Sequence, residues 1–535
     1  MKSDRAVYRV SQIKLRPGED KSRIPEKIAK KLGLAEPDIL DWKIVKESVD
    51  ARKKPDILLV YTVDFTSGRT DLLSQGRKRK DLSPAPDEKY EIRTCEKKPS
   101  ERPVVVGAGP CGMFAAYVLA VAGLCPILIE QGAPVERRVR DVERFWKEGI
   151  LDTRSNVQFG EGGAGTFSDG KLTTGVKDIR IRKILEVFFQ AGADESILYK
   201  NRPHIGTDVL RKVVVNIRSM IEELGGEYLF DTKVTDIITE NGKVTGLKTE
   251  ERTIPAEKVI LAPGHSARDT IRMLHEKKIP MEKKPFSMGV RVQHPQEVIN
   301  KAQYGDESLA AILGPADYKL SCRTSDGRGV YTFCMCPGGE VVVASSQKEG
   351  VVTNGMSYSD RGGEYANSAL LADVRVSDME DHVPVDAAGE EDPDAGDDVL
   401  AGVKMQEYYE HLAFVNGGSS YNAPETTWKE FREGSSKAEP VTGSLPDFVT
   451  GAIREAMPKL GKKLKGFDDP DTLMMAVESR SSSPVRILRD SDTYESIEGL
   501  YPAGEGAGYA GGIVSAAADG MRAAEKVIEK IKAGS

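Results

Sequence analysis

Cysteine is scarce in this sequence, and no two cysteines stand in a CxxC spacing. The cysteines are scattered over the chain, at positions 95, 111, 125, 322, 334 and 336. A protein that depends on a disulfide framework has a denser and more regular cysteine pattern. We therefore predict free thiols in a reducing compartment, and no metal site.

Long apolar runs and a strong charge of one sign are also absent. The opening MKSDRAVYRV has charges and no apolar core of a signal peptide, and the most apolar run, 113–130, is interrupted by Gly123 and Pro126. The net charge of −7 excludes a surface built as a whole for nucleic acid or anionic lipid. We predict a cytoplasmic protein without a membrane span, for which nucleic acid is not the expected partner.

The chain has 535 residues, too many for one core, since single cores stop growing at roughly 250–300 residues. Its patterns predict an α/β fold in three units. Residues 1–98 form a small N-terminal α+β (ferredoxin-like) domain. Residues 99–280 and 446–535 form a Rossmann-like domain, and residues 281–445 form an inserted antiparallel β-sheet domain that covers a substrate.

Local patterns support this division. In the first unit, the strand-like runs VYRVSQIKL, ILLVYTVDF and YEIRT accompany a helical pattern, IPEKIAKKLGL, which is compatible with a β-α-β-β-α-β unit. GRKRK at 76–80 is either a phosphate-contacting patch or, as we favour, a solvated loop. In the inserted unit, the PGG between VYTFCMC and EVVVASS predicts a hairpin, and the acid-rich stretch 377–398 predicts a loop.

The stretch PVVVGAGPCGMFAAYVLAVAGLCPILIEQG has three glycines in GxGxxG spacing between a buried-strand pattern and a helix. Gly107 permits a tight turn, Gly109 lets a pyrophosphate approach the backbone, and Gly112 lets the helix pack close to the strand. The helix N-terminus adds N–H donors. Glu130 ends the next strand, where a carboxylate accepts hydrogen bonds from an adenosine ribose. We predict a dinucleotide site formed by Gly107, Ala108, Gly109, Pro110, Cys111, Gly112, Glu130 and Gln131.

The stretch GLYPAGEGAGYAGGIVSAAADG, residues 499–520, is rich in glycine and alanine. It resembles the second FAD motif of the glutathione-reductase superfamily, in which an acid after a strand binds the ribityl chain. The resemblance implies FAD contacts at Gly504, Glu505, Gly511, Gly512 and Ile513, although the superfamily usually has Asp where Glu505 stands. Glycine admits a flat ring to the backbone, and a helix N-terminus beside it stabilises the anionic reduced flavin. The alternative is a glycine-rich loop that only caps a packed helix.

Two segments between these motifs fit the same superfamily. GEYLFDTKVTDIITENGKVTGLKT has alternating strands and an Asn241-Gly242 turn, like the β-meander that flavoprotein domains insert before their final strand. Val234 stands where the superfamily's backbone meets adenine. KVILAPGHS resembles the strand end that follows, which implies that Ala262 and Gly264 lie near the cofactor.

Several motifs together resemble a bacterial and plastid family of FAD-dependent (NAD(FAD)-utilising) dehydrogenases: VVGAGPCGMFAAYVLA, SNVQFGEGGAGTFSDGKL, LAPGHSARDT, FCMCPGG and YPAGEGAGYAGGI. The match covers nearly the whole chain. It implies cofactor contacts at Gly162, Gly163, Gly165 and Thr166, in a backbone nest. Ser168, Asp169 and Lys171 either face the ring or the substrate or belong to a structural loop. The resemblance supplies no substrate.

Cys334 and Cys336 suggest a redox pair, but a regular strand holds such side chains about 6–7 Å apart on one face. A disulfide needs Cβ atoms at roughly 3.5–4.5 Å, so we expect no disulfide without distortion. We expect the flavin alone to carry the electrons.

The catalytic residues are unknown at this stage. His294 and Arg480 are weak candidates for proton donors or anion clamps, as are Asp169 and Lys171, and each has a structural alternative. No second GxGxxG with its strand and acid appears, so NADH or NADPH, as a candidate donor, would bind without its own Rossmann domain.

These observations predict an FAD-dependent oxidoreductase, a dehydrogenase or reductase that transfers hydride or electrons between the flavin and a small-molecule substrate. The alternative is a flavoprotein that binds RNA or a protein partner through residues 1–98. The oligomeric state is not predicted.

Overall fold

A computed structural model describes residues 5–73, 80–86, 89–381 and 398–534. In chain order its strands are β1 Ala6–Leu15, β2 Ile39–Asp50, β3 Leu58–Ser67, β4 Leu82–Pro84, β5 Val104–Val106, β6 Ile127–Ile129, β7 Glu227–Leu229, β8 Val234–Glu240, β9 Lys243–Thr249, β10 Thr253–Pro255, β11 Val259–Leu261, β12 Met281–Lys283, β13 Phe286–Pro295, β14 Ser321–Arg323, β15 Gly329–Cys336, β16 Glu340–Val343, β17 Thr353–Met356, β18 Tyr365–Val374, β19 Glu425–Thr427, β20 Leu473–Glu478, β21 Val485–Ile487 and β22 Leu500–Pro502.

The helices connect and cover these strands. They are α1 Ile24–Leu32, α2 Pro110–Val121, α3 Val135–Glu148, α4 Arg180–Gln190, α5 Thr207–Glu223, α6 Arg268–Glu276, α7 Gln296–Tyr304, α8 Ala310–Leu313, α9 Val376–Asp381, α10 Ala401–Asn416, α11 Trp428–Glu433, α12 Glu439–Thr442, α13 Asp447–Gly461 and α14 Ile513–Ala533. Every helix in the described part of the chain is too short or too polar to span a bilayer.

The N-terminal unit is an antiparallel sheet in the order β2-β3-β1-β4, with α1 packed against it. The prediction of a full β-α-β-β-α-β unit is wrong in two places. YEIRT, at 90–94, is not a strand, and the described residues between β3 and β4 contain no helix. Most of the GRKRK patch lies outside the described residues.

A parallel sheet in the order β22-β11-β5-β6-β7 forms the middle of the molecule. Helices α2 and α14 share one apolar core on this sheet. They approach closely because Gly520 has no side chain: a Cβ atom there would lie 2.0 Å from the carbonyl oxygen of Cys111. The β-meander β8-β9-β10 turns at Asn241 and Gly242, both with positive φ, as a type I′ hairpin requires.

A mixed-length antiparallel sheet, β14-β15-β18-β13-β20-β19, packs with α10 and α13 around a second core. The predicted boundary at residue 445 is wrong, because β20 pairs with β13 in this sheet and α13 packs in its core. The chain therefore returns to the parallel sheet only after about residue 481.

The predicted hairpin at PGG is also wrong. β15 pairs with β14 and β18, whereas β16 pairs with β17 in a separate two-stranded sheet. The glycines serve close packing instead: a Cβ atom on Gly338 would lie 1.7 Å from the carbonyl oxygen of Arg361. Most of the acid-rich stretch 377–398 lies outside the described residues.

Candidate functional site

One cavity opens at the carboxyl end of the parallel sheet, where ligands bind in open α/β sheets. Its lining includes the residues that follow the strands, namely Gly107, Glu130, Ala262 and Ala503. The antiparallel sheet supplies another part of the lining, through Cys334 in β15 and Glu478 in β20, and the two-stranded sheet adds Thr353 in β17. The cavity therefore lies between the two sheets.

The glycines of the β5–α2 turn have two different environments. Gly107 has φ +101°, and a Cβ atom there would lie 2.2 Å from the carbonyl oxygen of Ala262. A Cβ atom on Gly112 would lie 1.8 Å from the carbonyl oxygen of Gly107. Gly109 is different, because its nearest neighbour would be the Cα of Gly163 at 3.9 Å. Gly107 and Gly112 thus let the protein pack on itself, whereas Gly109 leaves space on the cavity side at the start of α2.

Glu130 ties the ends of three segments together. Its buried carboxylate accepts hydrogen bonds from the amides of Ala108 at 2.8 Å, Gly132 at 2.9 Å and Gly160 at 3.0 Å. A carboxylate has about four lone-pair sites, so one acceptor position remains for a ribose hydroxyl. The sequence pattern did not reveal these contacts to the backbone.

The glycine-rich loop 155–172 takes its shape from Arg138, which is fully buried under it. The Arg138 guanidinium donates hydrogen bonds to the carbonyl oxygens of Asn156, Val157, Glu161 and Gly163. These bonds hold a loop in which Gly160, Gly162 and Gly163 all have positive φ. Arg138 was missed by the sequence analysis, and nothing in its local pattern distinguishes it.

The second glycine turn also opens onto the cavity. A Cβ atom on Gly511 or Gly512 would meet no protein atom within 4 Å, and both residues line the cavity just before α14 begins at Ile513. Gly504 is different, because its Cβ atom would lie 2.9 Å from the Cβ of Cys111. The two glycine segments, far apart in sequence, therefore contribute bare backbone to the same cavity.

Glu505 follows strand β22 and has a partner that the sequence analysis missed. Its Oε1 lies 3.0 Å from Nδ1 of His265, and both residues line the cavity. His265 is buried, and its Nε2 has no hydrogen-bond partner among the described residues. An acid expected to meet only the cofactor is thus also oriented by a histidine.

The predicted contacts divide into residues that line the cavity and residues outside its lining. The cavity is lined by Gly107, Gly109, Pro110, Cys111, Glu130, Gln131, Gly163, Gly165, Val234, Ala262, Gly264, Glu505, Gly511, Gly512 and Ile513. The lining does not include Ala108, Gly112, Gly162, Thr166 and Gly504, whose contact with a cofactor stays a prediction. Gly162 illustrates the reason, because its Cβ atom would lie 2.1 Å from Oγ1 of Thr166 and not in the cavity.

Asp169 and Lys171 line the cavity on the side of the antiparallel sheet. The carboxylate of Asp169 accepts two hydrogen bonds from the guanidinium of Arg361, at 2.9 and 2.5 Å. The Lys171 Nζ is buried, lies 3.6 Å from Oδ2 of Asp169 and has no hydrogen-bond acceptor among the described residues. Lys171 therefore forms a longer ion pair with Asp169 than Arg361 does.

Arg480 lines the cavity but belongs to a buried ion network. Its guanidinium binds the carboxylate of Glu410 at 3.0 and 2.7 Å, and Arg268 binds the same carboxylate at 2.8 and 2.7 Å. Burial alone would raise the pKa of Glu410, but the two arginines lower it well below its usual range. Arg480 is thus held in place and has few donors left for a ligand.

His294 is a correction, because it does not line the cavity. It is buried in the core of the antiparallel sheet, where its ring stacks on Phe467 and its Nε2 bonds to the carbonyl oxygen of Phe467 at 2.8 Å. Burial lowers the pKa of His294, which favours a neutral ring. It is a packing residue and not a proton donor to this site.

The assumption of a regular strand at Cys334 and Cys336 is wrong. The pairing of β15 with β18 shifts register between Phe333 and Cys336, and Cys334 has φ +44°. This β-bulge aims Cys334 at the cavity lining while Cys336 is fully buried.

Comparison with known proteins assigns the chain to a family. Residues 285–481 match a family described as "FAD-dependent protein, C-terminal domain-like", and residues 8–66 match a domain of unknown function. An uncharacterised protein of Clostridium beijerinckii is 42% identical over 543 residues, which cover 98% of this chain and 99% of that protein.

Solved structures of flavin enzymes match more weakly. Glycine oxidase from Bacillus cereus has 13% identity and a TM-score of 0.32, over 81% of this chain and 95% of that one. FAD-complexed glycerol-3-phosphate dehydrogenase from Bacillus halodurans has 14% identity and a TM-score of 0.33, over 82% and 66%. TM-scores this low do not establish a shared fold. The chain therefore belongs to the family of the Clostridium beijerinckii protein, and its residues 285–481 match a family described as FAD-dependent.

Proposed function

We propose that this protein is an FAD-dependent oxidoreductase, in which FAD lies stretched across the cavity between the two glycine turns. One observation carries the proposal: Gly109, Gly511 and Gly512 all present open backbone to the same cavity. Glycines that served only packing would have protein atoms where a Cβ would stand, as Gly107, Gly112 and Gly504 do. The open positions therefore fit a ligand that approaches the backbone at two distant points.

At one end, the residues fit the adenosine diphosphate half of the cofactor. The pyrophosphate would lie at the N-terminus of α2, where free backbone N–H groups and the positive dipole end favour an anion. Glu130 has one acceptor position for the ribose, and Val234 is in the lining where the adenine is expected.

At the other end, the residues fit the isoalloxazine ring. Gly511 and Gly512 precede α14, whose N-terminus places partial positive charge at this point and would raise the reduction potential of a nearby flavin. Glu505, oriented by His265, would bind the ribityl chain. Bound FAD supplies hydride or electron transfer.

The antiparallel sheet would enclose a small-molecule substrate against the ring. Lys171 offers unused N–H donors to an anionic or carbonyl oxygen of the substrate, and the paired Asp169–Arg361 and Arg480–Glu410 groups hold the surrounding wall in place. NADH or NADPH would enter the same cavity as the electron donor.

The alternative role in binding RNA or a protein through residues 1–98 stays a prediction, and no contact of the described residues favours it.

The absorbance spectrum of the purified full-length chain tests this proposal. We expect a yellow protein with a flavin band, which NADH or NADPH bleaches under anaerobic conditions, and the faster of the two identifies the donor. A colourless protein that takes up no FAD on reconstitution contradicts the proposal.

A further inference from the structure

Cys334 and Cys336 lie where the cavity meets the core of the antiparallel sheet. Cys334 lines the cavity, and Cys336 is fully buried behind it. The Cys336 thiol donates a hydrogen bond to the carbonyl oxygen of Cys334, with 3.3 Å between Sγ and oxygen. At this bulge the Cys336 side chain therefore folds back onto the backbone of Cys334, which the even spacing of a regular strand would not allow.

Glycines leave room around the buried sulfur. A Cβ atom on Gly355 would lie 2.9 Å from the Cys336 Sγ, and a Cβ atom on Gly339 would lie 3.1 Å from the Cys336 Cβ. At Gly355 the Nη1 of Arg291 would lie even closer to the Cβ atom, at 2.0 Å, and at Gly339 the carbonyl oxygen of Met356 would lie at 2.4 Å. These glycines therefore pack closely against Arg291 and Met356 as well as against Cys336.

Nearby charges make the two thiols unequal. The adjacent Cys336 thiol and the positive charges of Lys171 and Arg291 lower the pKa of Cys334 despite its burial. Interaction with Cys334 and burial raise the pKa of Cys336. The carboxylates on this side, Glu478 and Asp169, are paired with Arg291 and Arg361. A thiolate beside a thiol is the state from which a dithiol is oxidised.

We propose that Cys334 and Cys336 form a second two-electron redox centre, which exchanges electrons with FAD in the same cavity. This inference rests on the proposed function. In the oxidative direction, the S–S bond forms between the Cys334 thiolate and the Cys336 sulfur, and the Cys336 S–H bond breaks. The two electrons and the proton pass to oxidised flavin, which becomes the anionic reduced flavin, so that charge and atoms balance. The reverse step opens the disulfide.

Disulfide formation is measured first, and it does not require flavin. Both cysteines fall in one tryptic peptide, residues 329–348, and Cys322 falls in another, residues 320–323. After equilibration with oxidised glutathione, we expect peptide 329–348 to be lighter by two hydrogen atoms and to resist iodoacetamide until dithiothreitol is added. Cys322 should be alkylated throughout. Alkylation of both Cys334 and Cys336 after this oxidation overturns the proposal.

Electron uptake is measured next on the flavin-loaded protein, by anaerobic titration with dithionite. We expect about four electrons per flavin in the wild type, because the flavin and the disulfide are each two-electron couples. Cys336→Ser should take up about two, and the control Cys322→Ser should match the wild type. A yellow wild-type protein that takes up only about two electrons overturns the dithiol centre and leaves the proposed function intact. A protein that takes up no flavin overturns the proposed function instead.

Discussion

The two sides of the cavity expose different groups. The side at the parallel sheet presents backbone, at Gly109, Gly163, Gly511 and Gly512, and its acidic residues also bond the protein itself. Glu130, for example, accepts hydrogen bonds from three amides. The side at the antiparallel sheet presents side chains, held by buried ion pairs. Backbone can recognise a cofactor that many enzymes share, whereas side chains define the particular substrate.

The largest expected effect is on the side at the antiparallel sheet. Glu410→Gln removes the carboxylate that bonds both Arg268 and Arg480, and Arg268 keeps only the more distant Glu407, at 3.9 Å. We therefore expect a loss of about 3–5 kcal/mol in the free energy of unfolding. Urea unfolding measures this loss. The control is Glu433→Gln, which removes an exposed ion pair with Arg432 and should cost less than about 1 kcal/mol. Equal effects of the two substitutions would show that the buried network does not hold this wall.

The next effect is on the side at the parallel sheet, which should stay folded. Gly109 has φ −75°, which any residue can adopt, so Gly109→Glu should fold and fill the space for the pyrophosphate with a like charge. We expect FAD affinity to fall at least about 100-fold, or about 2.7 kcal/mol, in a fluorescence titration. Gly451→Glu adds the same side chain in α13, where a Cβ atom meets nothing within 4 Å, and should bind FAD normally. Normal FAD binding by Gly109→Glu would place the cofactor elsewhere.

A third prediction concerns Glu161, in the glycine-rich loop 155–172, and the pH dependence of the protein's stability. Burial raises the pKa of Glu161 from 4.5 to about 7. The folded state therefore binds the proton more tightly than the unfolded state, and the stability from this group falls as pH rises from about 4.5 to about 7. Glu161→Gln should stabilise the protein by about 1–3 kcal/mol at pH 8 and change little at pH 4.5. Urea midpoints at the two pH values measure it, and equal shifts at both would argue against a protonated carboxyl.

The smallest expected effect is also on the side at the parallel sheet. Glu505→Asp retains the acid but shortens it by one methylene, which lengthens the 3.0 Å contact with His265. We expect FAD affinity to fall by no more than about tenfold, since one hydrogen bond contributes about 1 kcal/mol. Titration of Glu505→Asp and of Glu505→Ala compares the two, and the alanine variant should bind FAD more weakly. Equal affinity in both variants would mean that the carboxylate does not contact the cofactor.

The side at the parallel sheet could be predicted from the sequence, because its glycines follow strands at fixed spacings. Gly107, Gly109 and Gly112 identify a turn whose geometry depends on local conformation alone. The antiparallel side could not be predicted in this way. The bulge at Cys334, the pairing of β20 with β13 and the burial of His294 all depend on strands that meet from distant parts of the chain.

The supporting residues were missed for a related reason. Arg138 lies in α3, in a run of charged residues that reads as an exposed helix face, yet it is fully buried because the loop 155–172 folds over it. His265 gains its role only when β22 brings Glu505 beside β11. Such contacts between segments leave no local signal.

The central claim is that one stretched FAD reaches both glycine segments, and comparison of FAD with FMN tests it most directly. Calorimetric titration of the flavin-free wild type should give a much tighter dissociation constant for FAD, because FMN lacks the AMP part, whose phosphate would lie at Gly109. In Gly109→Glu the advantage of FAD over FMN should disappear. Equal affinity of the wild type for FAD and FMN would contradict the claim.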